Sequence, residues 1–505
     1  MKKTYIVVAS SIMLLFCLAY QGAYAYFTTN SQMRGDFNTD ISSGTISDLI
    51  ISDGNHVTSN NIIPGESVTN TFTVQNPNNL KVCFNLLWSD VVNEFINKED
   101  LVITLTDQSG KVLVSKKAFP SANDEILAEN LSINGNTTNT YTLTITYKNT
   151  DQNQIADMGK TFSGTITGMP VTCQPSVVDQ IIEQLDTTGA CPTVNEDGTV
   201  RVTDGESENG YLCSAPDDYG TSYYYRGNVT NNYVKFGTNE SGQDMYWRII
   251  RINGDGSIRI IYDGTSAHAN GEASADRQIG TSAFNSSNSD PAYVGYMYGS
   301  TLGSSYAETV ANDNDSTIKA YLDNWYKNNI VDQGYTDYIA DPGFCNDRSL
   351  STQSNNGDGF STSGNNTYYG AYQRYNDLKS PKLSCPNETN DLFTTATGTK
   401  GNKALTYPIS LITIDEIHLA GGYYGNIVDN QGYYLYTGNY YWTMSPGYFN
   451  GSRTSSREFV LTSIGSVHEG GYVTSNYGVR PTINLLPDSL KLGSGTMDDP
   501  WRIAD

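Results

Sequence analysis

Tyr141-Thr-Leu-Thr-Ile-Thr-Tyr147 decides the class of the N-terminal part of this chain. Its tyrosine, leucine and isoleucine side chains fall on one face of an extended backbone and its threonines on the other. That period of two belongs to a half-buried strand. Segments 68–74, 82–87, 101–105, 112–115 and 161–167 also read as strands. Turn signals stand among them at Asp53-Gly54, Pro64-Gly65, Asn76-Pro77-Asn78, Ser109-Gly110 and Asn134-Gly135. Strands at such spacing predict an antiparallel β-sandwich over residues 26–172.

Toward the C-terminus the pattern changes. Ser176 with Asp179 three residues on forms a capping box, and Val177, Ile181, Ile182 and Leu185 share a helical face. The spacing predicts a short helix inside a polar linker, 173–210, with turns at Asp197-Gly198 and Asp204-Gly205. A second, larger domain is expected over 211–505. Its clearest element is Trp247-Arg-Ile-Ile-Arg-Ile-Asn-Gly-Asp-Gly-Ser-Ile-Arg-Ile-Ile-Tyr262, two apolar alternating runs around Asn253-Gly-Asp-Gly256, which reads as a hairpin. Asn253 and Asp255 suggest a calcium loop, but the later acidic ligands are missing, so the turn reading is preferred. A helix is expected over 316–328, burying Ile318, Tyr321, Leu322, Trp325 and Tyr326. Another is expected over 413–420, with Thr413 and Glu416 as its capping box and Gly421-Gly422 as its stop. Stretches 264–311 and 346–400 exceed ordinary connections and read as functional loops or mobile insertions. Residues 493–503 read as a turn and a closing strand. No LPxTG-type sorting signal follows, so retention at a surface is expected to be non-covalent.

The chain of 505 residues carries 30 Lys and Arg against 53 Asp and Glu, a net charge of −23. So acidic a protein repels nucleic acid and anionic membranes. Tyrosine occurs 37 times and glycine 47 times, a composition common in extracellular β proteins and binding surfaces.

The leader gives the compartment. Lys2 and Lys3 precede an apolar stretch at 5–20, and Ala23-Tyr24-Ala25 gives the small-x-small pattern that a signal peptidase cuts. Residues 1–25 are therefore expected to be a signal peptide, cleaved between Ala25 and Tyr26, leaving no membrane span. The protein is expected to be secreted, at the cell surface or in the extracellular matrix of a bacterium. The alternative is a retained anchor, disfavoured by the short apolar core. A lipoprotein modified at Cys17 is disfavoured by the bulky Phe16. Six cysteines remain in the mature chain, and domain order favours the nearest-neighbour disulfides: Cys83 with Cys173, Cys191 with Cys213, Cys345 with Cys385. There is no CxxC, and His56, His268, His418 and His468 are scattered, so neither a metal nor a cofactor is expected.

The leader ending Gly22-Ala-Tyr-Ala25, the aromatic start Tyr26-Phe27-Thr28, and Asn61-Ile-Ile-Pro-Gly-Glu-Ser67 ahead of Val74-Gln-Asn-Pro77 carry a resemblance over residues 1–170. This part resembles the TasA/camelysin group of exported bacterial biofilm-matrix proteins. The resemblance implies cleavage by a dedicated signal peptidase. It also implies an N-terminal strand (here Tyr26, Phe27 and Thr28) that completes a neighbour's sheet to build fibres. Addition of a free strand to a sheet edge is physically compatible with this chain. Camelysin is also classed with metallopeptidases. That activity is not carried over, because the chain has no HExxH and His56 is the first domain's only histidine.

Five blocks carry a second resemblance: Met245-Tyr-Trp-Arg-Ile-Ile250, Asp315-Ser-Thr-Ile-Lys-Ala-Tyr-Leu-Asp-Asn-Trp-Tyr326, Ile409-Ser-Leu-Ile-Thr-Ile-Asp-Glu416, Tyr441-Trp-Thr-Met-Ser-Pro446 and Tyr477-Gly-Val-Arg-Pro-Thr-Ile483. Residues 245–485 resemble an uncharacterised bacterial extracellular family related to sulfatase-modifying-factor and C-type-lectin-like domains. This implies an α+β fold with long loops and ligand recognition at the cell surface. Two departures matter. No cysteine lies in 441–483, where an oxidase site would need one, and the Glu-Pro-Asn and Gln-Pro-Asp tripeptides of calcium lectins are absent.

Trp442, Arg480, Tyr424, Tyr434 and Tyr441 are the candidate ligand-binding residues. For Trp442 and Arg480 the favoured reading is structural: Trp442 fills the core, and Arg480 pairs with a buried acid, Asp415 or Glu416. The tyrosine clusters (223–225, 368–369, 423–424, 433–434, 440–441) are expected to turn one member of each pair to solvent. The sequence thus predicts a mainly β, multidomain exported protein without catalytic residues. The sandwich would anchor or assemble, and the lectin-like domain would bind a glycan or a surface-protein ligand in adhesion or a biofilm matrix. The alternatives are a free secreted carbohydrate-binding protein and, last, an exported hydrolase or camelysin-like metallopeptidase; no nucleophile elbow or metal cluster supports either enzyme.

Overall fold

The computed structural model describes residues 32–33, 49–53, 63–79, 81–108, 110, 112–150, 154–157, 160, 162–173, 175–202, 209–352, 359–423 and 432–504. The expected leader with its expected cut between Ala25 and Tyr26, the expected assembly segment Tyr26-Phe27-Thr28, and Tyr424 lie outside them. The chain is mainly β and divides into two compact units, Met1–Gln174 and Pro175–Asp505.

The strands of the first unit are β1 (Gln32–Met33), β2 (Ile50–Asp53), β3 (Ser67–Asn76), β4 (Val82–Asn93), β5 (Leu101–Asp107), β6 (Val112–Ala118), β7 (Ile126–Ile133), β8 (Thr137–Tyr147) and β9 (Phe162–Val171). They form two antiparallel sheets, ordered β1-β2-β3-β8-β5-β6 and β7-β4-β9. Alternation along β8 buries Tyr141, Leu143, Ile145 and Tyr147. Those side chains share one apolar cluster with Phe84, Leu86 and Trp88 of β4 and Phe162 of β9. Full burial of each such residue stabilises by about 1.5–3 kcal/mol. Phe72 stacks on its cross-strand partner Tyr141, ring centroids 5.4 Å apart. Cys83 and Cys173 tie the start of β4 to the end of β9.

The two edges of the larger sheet differ. At one, β6 is mostly exposed, carries Lys116 and Lys117, and pairs with shifted register, all of which discourage a further strand. At the other, β1 closes the sheet with two pairings to β2, Gln32↔Ser52 and Met33↔Ile51.

The second unit is built from α1 (Val177–Ile182), β10 (Tyr211–Pro216), β11 (Thr221–Arg226), β12 (Tyr233–Thr238), β13 (Asp244–Ile252), β14 (Ile258–Gly264), β15 (Thr281–Ser282), α2 (Thr317–Tyr326), β16 (Ile339–Ala340), β17 (Thr367–Tyr368), α3 (Ile414–Ala420), β18 (Tyr441–Asn450), β19 (Ser455–Leu461), β20 (Val467–Tyr472), β21 (Tyr477–Gly478), β22 (Thr482–Leu485) and β23 (Trp501–Arg502), with shorter turns between them. One sheet runs β10-β11-β13-β14-β22-β16, and β12 pairs with both β13 and β23. The other runs β15-β21-β18-β19-β20, and β17 also pairs with β18.

β13 and β14 form the hairpin around residues 253–256, where the Asn253 amide donates to Ser257 and Asn484. Helix α1 has the capping box read from Ser176 and Asp179. It is not a free connector: Val177, Val178 and Ile181 lie in the second unit's core cluster. Helix α3 carries the Thr413/Glu416 capping box and stops at Gly421, whose φ of 111° favours glycine. The disulfides are Cys83–Cys173, Cys191–Cys213 and Cys345–Cys385.

Candidate functional site

The candidate ligand-binding residues that the structure describes all lie in the core. Trp442 is buried and donates its indole N–H to the Ser282 carbonyl at 2.8 Å. Tyr441 is buried and donates to the Leu435 carbonyl at 3.0 Å; Tyr434 is buried and donates to the Tyr225 carbonyl at 3.4 Å. Arg480 is buried too. It donates to Tyr262 O at 3.0 Å, to Leu435 O at 3.1 Å and to Asp263 Oδ1 at 2.7 Å. None of the four faces solvent: Trp442 and Arg480 take the structural places favoured from the sequence, and Tyr434 and Tyr441, named as ligand-binding candidates, are core residues instead. The buried acid is Asp263 of β14, not Asp415 or Glu416. Arg277 meets the same oxygen at 2.9 Å, so one carboxylate is shared by two buried guanidinium groups.

Asp415 and Glu416 serve a second network. Glu416 Oε1 accepts from Arg251 Nε at 2.9 Å and Arg259 Nη1 at 2.7 Å, while its Oε2 caps α3 through the Thr413 N–H at 3.0 Å. Burial by itself would raise the Glu416 pKa, but Arg259 and Arg251 outweigh it and hold the carboxyl down at about 2. Asp415 takes a bidentate fork from Arg374, both bonds 2.8 Å, and Arg374 reaches Asp347 at 2.7 Å. Beside these pairs lies a crevice of ≈ 30 Å³ reaching Asp217, Asp218 and Tyr219. That space holds about one or two waters and no sugar ring. Asp218 at its edge is pushed up to about 6 by burial, with Glu388 and Asp217 adding repulsion against the Cys385 N–H that it accepts. The crevice places a titratable carboxyl beside the buried ion pairs.

Glu458 of β19 is fully buried, and neither carboxyl oxygen has a hydrogen-bond partner among the described residues. Burial drives its pKa well above the ordinary 4.5, only partly opposed by Arg348. A folded pKa raised above the unfolded one contributes stability that is present below about 4.5 and is lost as pH rises. Glu458→Met should therefore stabilise the second unit by about 1–3 kcal/mol at pH 7. The gain should shrink toward pH 4. Denaturant unfolding at the two pH values measures both; a destabilised variant at pH 7 would contradict the assignment.

Exposed aromatic surface lies elsewhere. Tyr440 and Tyr472 are exposed, and Tyr368, Tyr372 and Tyr448 are half-buried. Of the paired tyrosines, Tyr440 faces out while Tyr441 is buried, but Tyr433 and Tyr434 are both buried. They belong to a turn with no strand alternation.

Residues 1–102 match the family model described as camelysin metallo-endopeptidase, and the N-terminal part of the chain resembles the TasA/camelysin family over that range. That description implies a metal ion. Among the described residues no group of three or more His, Cys, Asp or Glu side chains is placed to hold one, and His56 lies outside them. The described residues do not fit a zinc centre. No curated protein matches the chain. A solved structure titled "AvmM Catalyzes Macrocyclization in Alchivemycin A Biosynthesis" is similar at 11% identity over 25% of this chain and 90% of its own, with a TM-score of 0.16. Likeness at that level carries no argument. Among the described residues no helix is long and apolar enough to cross a membrane.

Proposed function

We propose that this chain is an exported bacterial surface or matrix protein. Its first unit assembles into polymers, and its second unit displays a ligand-binding surface. The observation that carries this reading is the match of residues 1–102 to the camelysin family together with the place of β1 at the sheet edge. Gln32 follows Tyr26 closely in sequence, so a segment freed by cleavage before Tyr26 would run straight into an edge strand. Main-chain pairing at such an edge supplies association without a dedicated side-chain interface. Buried ion pairs in the second unit, among them Arg251–Glu416 and Arg348–Asp391, hold the core beneath its surface in place.

Polymer formation by the mature chain starting at Tyr26, followed by sedimentation and electron microscopy, tests the assembly. Filaments are expected from that chain and none from Ala25→Phe, which blocks the cut. A mature chain that stays monomeric at high concentration sinks the assembly reading and leaves a free secreted binding protein with the sandwich as a spacer.

A further inference from the structure

Residues 265–274 join the end of β14 to a 3-10 turn at Ala275–Arg277 with no strand or helix of their own. Neutral hydrogen bonds hold this strap against its neighbours. The Tyr233 hydroxyl of β12 donates to the His268 carbonyl at 2.8 Å. The Asn270 amide donates to Asn228 Oδ1 at 2.7 Å and to the Val229 carbonyl at 2.8 Å. At the far end the Ser274 N–H donates to the Thr437 carbonyl at 3.1 Å. The strap also reaches the buried Arg248 of β13. That guanidinium donates to Asn232 Oδ1, to the Val229 carbonyl and, on the strap, to Asn270 Oδ1 at 3.0 Å.

One side chain braces the strap from within. His268 is buried; its Nδ1 lies 2.9 Å from Glu272 Oε1 and its Nε2 3.0 Å from Asp276 Oδ2. Both carboxylates reach solvent, with side chains 47% and 36% exposed. An imidazolium donates from both nitrogens, whereas a neutral imidazole donates from one and presents a lone pair at the other. Two carboxylates therefore fit the charged ring, and the neutral ring leaves one of them facing a lone pair. The bond from His268 holds Glu272 below its ordinary 4.5. At Asp276 burial is outweighed by the bonds from Ser274 and His268, so this carboxyl lies below its ordinary 3.8.

Facing the strap from its neighbours are Tyr233 of β12, Arg248 of β13, Tyr262 and Asp263 of β14, and Arg277 beyond its end. The turn at 437–439 brings Thr437 and Asn439, which do not titrate. Burial pushes Tyr262 up to about 12 and raises Tyr233 as well. Arg277 donates to Asp263 at 2.9 Å. Histidine is the side chain whose charge changes between about pH 5 and 8.

We propose that residues 265–274 form a pH-sensitive strap over Arg248, closed while His268 carries its proton and loosened once that proton is lost. Two kinds of group set the window. The lowered carboxyls contribute fully above about 4.5, and their contribution is lost only as pH falls through their depressed values. The second ring bond is present below the imidazole range and lost above it. Closure is strongest in mildly acidic surroundings, and alkaline ones free Asn270 from Arg248.

Hydrogen exchange of the mature chain, read by mass spectrometry as protection of the 265–274 amides relative to their intrinsic rates, tests this at about pH 5.5 and about pH 8.5. Protection should fall about tenfold at the higher pH, since charge-assisted hydrogen bonds are about twice as strong as neutral ones. His268→Gln should be weakly protected at both values. Glu272→Gln gives the sharper reading. A neutral ring can accept from the new amide and donate to Asp276, so this variant should stay closed at both values. The strap is overturned if parent protection at the two values agrees within about twofold. It is equally overturned if Glu272→Gln still opens at the higher pH, or if His268→Gln is as well protected as the parent at the lower one.

Discussion

Glu416→Ala should lower the stability of the second unit by about 3–5 kcal/mol at neutral pH, the usual cost of leaving a buried charge without its partner. The effect is large because one side chain does two jobs. Its Oε1 neutralises Arg251 and Arg259, both buried, and its Oε2 caps α3. Arg251 keeps Asp217 at 2.8 Å, but Arg259 keeps only neutral partners, Asn484 and the Gly343 carbonyl. The pH dependence has a definite sign. The folded Glu416 carboxyl titrates at about 2, below its ordinary 4.5. Its contribution is therefore complete above about 4.5 and is lost as pH falls through about 2. The gap between parent and variant should stay constant from pH 6 to 8 and narrow in acid. Tryptophan fluorescence during denaturant unfolding can follow it, since every tryptophan except Trp88 lies in the second unit. A gap that widened in acid would contradict the pairing.

Asp263→Asn is the second large effect. Arg277 and Arg480 are almost wholly buried and share the same Asp263 oxygen. Neutralising it leaves two guanidinium groups held only by neutral acceptors, at a cost again of about 3–5 kcal/mol. Coupling separates this from simple loss of packing. Arg480→Met made on top of Asp263→Asn should cost about 1–3 kcal/mol less than in the parent, because the partner charge is already gone. Strict additivity of the two substitutions would show that the pair is not coupled.

Much of the first unit was legible because its signal is local. β3, β4, β5, β6 and β8 each contain the segment that alternation and turn residues marked, and β9 contains all of its segment but Thr161, which lies outside the described residues. β7 was missed for a physical reason. Ile126-Leu-Ala-Glu-Asn-Leu-Ser-Ile133 does not alternate, since it pairs with β4 through register shifts and Asn130 takes a φ of 54°. Capping boxes at Ser176 and Thr413 were equally readable, being contained within four residues. The partner of Arg480 was not, because Asp263 lies 217 residues away and only the β14–β22 pairing brings them near. Nearby Asp415 and Glu416 were the natural guesses, but Arg374 in one case and Arg251 and Arg259 in the other already hold them. The alignment of Tyr368, Tyr448, Arg457 and Tyr472 across β17 to β20 was illegible for the same reason. Its members come from four strands whose register is shifted by bulges around Pro446 and between Glu458 and Val460. Counting along any one segment could not align them.

The Cys83–Cys173 bond also decides how the first unit bears mechanical load. Its cysteines are 90 residues apart in sequence, with their Cα atoms 5.0 Å apart in space. Tension between the N-terminal strand and the second unit enters before Cys83 and leaves just after Cys173. The bond short-circuits everything between. Strands β2 and β3 can peel, but β5 to β9 lie inside a covalent loop that pulling cannot open. About 300 Å of extended chain stays out of reach of the force. Under tension, only reduction of that one bond would release the hidden length.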